Sequence, residues 1–157
     1  MIVYKDSQAV AEYSVSTSKY GVGDHPGSRE TPLGTLEVAK KYGDNVPLGG
    51  VLRSRRFTGE ILPPDAPGRD PIVTRILWLK GLDAGNSHAF NRCIYIHGTV
   101  AEQYIGTPAS YGCIRMRSKD VLKLYNTVGV GTKVQIIDTP LTPPGPSQGV
   151  EQVQTGG

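Results

Sequence analysis

The chain has 157 residues, 38% of them hydrophobic and 20% charged, which suits one domain with a sizeable core. Twenty glycines and twelve prolines weigh against a helical bundle and favour a protein of strands and turns. A net charge of +3 is too slight to indicate nucleic acid as a partner, no apolar run reaches the roughly 18 residues of a membrane span, and two cysteines do not make a disulfide scaffold.

The first residues, Met1 to Asp6, lack the basic and apolar regions of a secretory signal. The expectation is a chain that is cytosolic, mature or separated from its export signal. Ile2-Val3-Tyr4 and Ala9 to Val15 read as two strands around a turn, with Tyr13 and Val15 alternating against polar neighbours. Residues 18–35 are punctuated by Gly21, Gly23, Pro26, Gly27, Pro32 and Gly34 and read as loop. Leu36 to Ala39 resumes a strand. Residues 43–71 are poor in apolar residues and carry Arg53, Arg55 and Arg56. They read as a long loop with at most one short strand, a lid or cleft rim whose arginines either bind anions or are simply solvated.

Ile72 to Leu79 and Cys93 to His97 are strong β runs. The segment from Lys119 to Val128 is the one clear helix: Val121, Leu122, Leu124, Tyr125 and Val128 form an apolar stripe, with Ser118 as N-cap and Gly129 and Gly131 beyond its end. Thr132 to Ile137 is a closing strand. From Thr139 to Gly157 prolines, glycines and small polar residues dominate, so a disordered tail is expected.

Two residues carry potential chemistry. His97 closes a strand, and Cys113 follows 16 residues later in a loop just before the helix. A cysteine attacks a carbonyl as thiolate, and a nearby imidazole can take its proton. Gly112 lets the chain turn beside the sulfur and present N–H groups to an oxyanion. Arg115 brings positive charge to the same region, for the thiol or for a substrate carboxylate. Ser110 is either a hydrogen-bonding group at the site or a turn-stabilising hydroxyl. His25, His88 and His97 are scattered without metal-ligand spacing, so neither metal nor cofactor is expected. Cys93 lies four residues before His97 on the same expected strand, roughly 13 Å from that imidazole, so a bridge to Cys113 would hold the sulfur far from the imidazole. It therefore reads as a free, buried, structural cysteine rather than a disulfide partner of Cys113.

Ile96-His97-Gly98-Thr99, followed by Ser110-Tyr111-Gly112-Cys113-Ile114-Arg115-Met116, resembles the signature of the L,D-transpeptidase catalytic (YkuD) domain family. Thr31-Pro32-Leu33-Gly34-Thr35 and Gly131-Thr132-Lys133-Val134 fit the same pattern, and the likeness spans residues 1–138. The resemblance implies a mainly β domain over residues 1–138: a sandwich or partly closed barrel of mixed sheets with one helix after the catalytic loop. It implies Cys113 as nucleophile and His97 as base, with Gly98 orienting the imidazole and Gly112, Cys113 and Tyr111 supplying oxyanion N–H groups. It further implies a peptidoglycan tetrapeptide stem as donor, release of D-alanine, transfer to an amine and a place in the cell envelope. A monomer is expected. Many relatives carry a second His where this chain has Tyr111, and a phenol with an ordinary pKa of about 10 cannot replace it as a proton carrier. An L,D-carboxypeptidase and a non-catalytic wall-binding module are the competing readings.

Overall fold

The structure is a computed structural model and describes residues 1–141. The expected disordered tail, from residue 142 onward, lies outside the described residues. Strands β1 (Ile2–Lys5) and β2 (Gln8–Glu12) form an antiparallel hairpin turned by Asp6 and Ser7, both at positive φ. The second strand stops at Glu12, short of the expected Val15. There the Tyr13 N–H donates to the Met1 carbonyl at 2.9 Å, while Tyr13 and Val15 still pack on the core.

The main sheet has seven strands: β3 (Gly34–Tyr42), β4 (Gly50–Arg53), β5 (Arg56–Ile61), β6 (Ile72–Gly81), β7 (Tyr95–Thr99), β8 (Ile114–Met116) and β9 (Lys133–Ile136). β6 is its centre. It carries β7 along one edge and β3 and β4 in succession along the other. β9 continues beyond β3, β5 beyond β4 and β8 beyond β7. Every pairing is antiparallel except β7 with β8. Val73, Ile76, Leu77 and Leu79 are all almost wholly buried, as a strand covered on both faces requires. The fold is mainly β with one helix, and no sheet among the described residues closes into a barrel.

Residues 43–71 depart from the reading of a long loop with at most one strand. They hold the β4–β5 hairpin, reversed at Ser54 and Arg55, whose φ values are 49° and 63°. That two-residue positive-φ turn normally signals itself through Asn-Gly, which this sequence lacks. The outer strand β5 is exposed along its length, so no apolar alternation marked it.

Helix α1 (Ser118–Thr127) buries Val121, Leu124 and Tyr125 against β6 and β7. Arg117, not Ser118, is its N-cap residue. The Ser118 N–H donates to the Glu102 carboxylate at 2.9 Å, so a side chain distant in sequence caps the helix. The core joins Leu36, Val38, Leu77, Leu79, Ile94, Ile96, Ile114, Met116, Val121 and Leu124. On β7 and β8 the residues alternating with Ile96, Ile114 and Met116 face away from α1. These are Tyr95, His97 and Arg115, with Cys113 in register just before β8.

Candidate active site

The parallel pairing of β7 and β8 sets Ile96 against Ile114 and His97 against Arg115. Cys113 thus enters beside Tyr95, one step from the strand, on the face that carries His97. Its sulfur lies between two backbone groups: the Tyr95 N–H donates to Sγ at 3.3 Å, and the thiol donates to the Cys93 carbonyl at 3.3 Å.

His97 is only 6% exposed. Its Nδ1 is 2.7 Å from the Gly98 carbonyl. A carbonyl only accepts, so Nδ1 carries the proton and Nε2 keeps a free lone pair. Burial, with a smaller part from the charge of Arg115, holds the imidazole down at about 4, while the Gly98 carbonyl and Asp70 oppose the shift. Burial also pushes the Cys113 thiol up to about 11, against the Tyr95 N–H and Arg115. At neutral pH Cys113 therefore rests as a thiol bonded to the Cys93 carbonyl, and His97 as an unprotonated imidazole.

The loop before Cys113 is fixed by its own polar groups. Ser110 is fully buried; its hydroxyl donates to the Cys113 carbonyl at 2.6 Å and accepts from the Gly112 N–H at 3.2 Å. Gly112 sits at φ 124°, where a Cβ would also press on the Glu30 carbonyl and Ile94 at 3.2 Å. Its carbonyl accepts from Thr31 Oγ1 at 3.0 Å. Across a trans peptide the Cys113 N–H points the opposite way from that carbonyl. Neither the Tyr111 nor the Cys113 N–H has an acceptor among the described residues. A Cβ on Gly98 would lie 2.5 Å from the Val73 carbonyl, so the close approach of β6 to β7 requires glycine there.

The structure corrects the reading of Cys93. It precedes β7 in a turn with φ 57°, is exposed, and brings its carbonyl to the Cys113 sulfur. The strand begins only at Tyr95, so the estimate from a straight strand does not apply. Arg115 is likewise not free, since its guanidinium pairs with Asp70 at 2.8 Å and Asp70 accepts from Thr99 at 2.7 Å. Arg53 and Arg56 are exposed, whereas Arg55 donates to the Tyr95 hydroxyl at 3.2 Å and covers Trp78.

Sequence reasoning missed the wall formed by residues 16–31. Ser16 and Arg115 exchange backbone bonds at 3.0 and 2.8 Å, and the Lys19 N–H donates to the Ser110 carbonyl at 3.0 Å. Arg92 pairs with Asp24 and donates to the Glu30 carbonyl. These contacts join residues far apart in sequence and leave no local pattern to read.

The model of the YkuD family, the L,D-transpeptidase catalytic domain, matches residues 1–136. The chain belongs to the L,D-transpeptidase catalytic domain family. It is 43% identical over 138 residues to the putative L,D-transpeptidase YqjB of Bacillus subtilis, across 88% of this chain and 65% of that one. It is 34% identical over 133 residues to the probable L,D-transpeptidase ErfK/SrfK of Salmonella typhimurium, across 82% of this chain and 39% of that one. The chain thus spans less than two thirds of either relative. Among solved structures, the L,D-transpeptidase of Xylanimonas cellulosilytica superposes with a TM-score of 0.54 at 18% identity, over 87% of this chain and 54% of that one. This last likeness concerns the fold.

Proposed function

We propose that residues 1–138 form a catalytic domain that transfers an acyl group between peptidoglycan stem peptides through a thioester on Cys113. The observation that carries this reading is the His97 ring: its Nδ1–H is held by Gly98, so Nε2 is the basic nitrogen on the face that Cys113 shares. His97 Nε2 takes the thiol proton as Sγ attacks the carbonyl before a terminal D-alanine. The C–N bond then breaks, and the leaving amine takes that proton from the imidazolium. An amine on a second stem attacks the thioester and regenerates the thiol. The free Cys113 and Tyr111 N–H groups receive the oxyanion, while Gly112 supplies the turn and its own N–H stays with Ser110. Ser110 positions the loop rather than touching substrate.

Family membership and the L,D-transpeptidase names of the relatives support this substrate class, and with it a site of action in the cell envelope. No helix among the described residues is long and apolar enough to cross a membrane. The test is the product mass from a tetrapeptide donor with and without an acceptor stem. A cross-linked product is expected with acceptor. Tripeptide alone in both cases would replace the transferase by a carboxypeptidase.

A further inference from the structure

We propose that Lys19 and Arg29, arranged around Tyr111, form the site that binds the terminal carboxylate of the donor peptide. The proposal rests on the acyl-transfer reading and adds what selects the chain end.

Tyr111 lies two residues before Cys113, and its ring is 54% exposed. Three cations surround that ring: Lys19 at 4.7 Å, Arg29 at 5.8 Å and Arg115 at 6.0 Å from its centroid. Tyr20 meets it at 5.9 Å, and Lys19 Nζ is 3.4 Å from the Tyr111 hydroxyl. All three cations lie around one ring, so an anion placed at that ring is attracted by more than one of them. Arg115 already has Asp70, and Arg92 has Asp24. Lys19 and Arg29 have no carboxylate partner within salt-bridge distance among the described residues. The nearest acidic neighbour in sequence, Glu30, turns its carboxylate over Gly21 and Gly23.

The backbone that presents these cations is anchored. Lys19 and Ser110 are bonded through their main chains, and Ser18 Oγ donates to the Arg29 carbonyl at 2.5 Å. Thr31 then ties the same segment to Gly112. The two free cations are thus fixed to the loop that carries the nucleophile, which is the arrangement required to hold one end of a substrate in register. An internal peptide bond has no carboxylate at this position. A terminal D-alanine does.

Two measurements test the assignment. The first compares a tetrapeptide donor ending in a free carboxylate with the same donor ending in a carboxamide. The second compares alkylation of Cys113 by iodoacetate and by iodoacetamide, read by mass at pH 9 in a Cys93→Ser background, and requires no turnover. In Lys19→Gln/Arg29→Gln the preference for the anionic partner should fall about five- to tenfold in both, as expected for the loss of two solvent-screened charges. Lys123→Gln, on the exposed side of α1, should change neither ratio. If no donor is turned over but the alkylation ratio falls, the anion site stands and the acyl-transfer reading fails. An alkylation ratio that stays unchanged overturns the site. An alkylation ratio that falls while the donor preference holds overturns its assignment to the terminal carboxylate.

Discussion

Lowering the pH should destabilise this domain through His97, and the size of the effect follows from its burial. The imidazole lies at about 4 in the folded chain against 6.5 for an exposed histidine. Above pH 6.5 neither state binds this proton, so the contribution is flat. Between pH 6.5 and 4 the unfolded chain takes up the proton and the folded chain does not, so stability falls as pH falls. The full difference corresponds to about 3 kcal/mol. His97→Gln removes the titration while keeping an N–H able to reach the Gly98 carbonyl. Urea denaturation at pH 7, 6, 5 and 4.5 should show wild type losing more stability than the variant, with most of the gap opening below pH 6. Parallel stability curves for the two proteins would refute the reasoning, because the imidazole would then titrate alike in both states.

Other outcomes follow from the same geometry. Gly98→Ala drives a methyl group into the Val73 carbonyl and should cost about 1–3 kcal/mol in chemical denaturation. Thr31→Val removes the hydroxyl that fixes the Gly112 carbonyl. The same oxygen accepts from the buried Ser18 N–H, so the change should cost about 2–3 kcal/mol in stability, with a larger effect on kcat than on KM because the Cys113 N–H loses its alignment. At pH 7 iodoacetamide should modify exposed Cys93 before Cys113, whose thiol is pushed up to about 11, and peptide mapping over time reads the order.

Much of the architecture was legible because burial wrote it into the sequence. β6 and α1 bury continuous or periodic apolar positions, and both were found close to their actual limits. The β4–β5 hairpin was not, because β5 faces solvent on both sides and its turn uses Ser54 and Arg55 in a conformation those residues do not announce. At the site, His97 and Cys113 were visible as a pair in one signature. The condition of that pair was not. Its neutrality comes from burial, and Ser110 and Thr31 fix its loop through contacts made only on folding. Cys93 was misplaced for the same reason: a positive φ just before β7 bends the chain and carries its carbonyl to the sulfur.

Intact-protein mass after mixing with a tetrapeptide donor, followed by peptide mapping, tests the assignment of Cys113 as nucleophile and His97 as its base. An adduct equal to the donor less D-alanine is expected, located on Cys113. It should persist in Cys93→Ser, be absent in Cys113→Ala and form far more slowly in His97→Ala. An adduct on Cys93, or full turnover by Cys113→Ala, would contradict it.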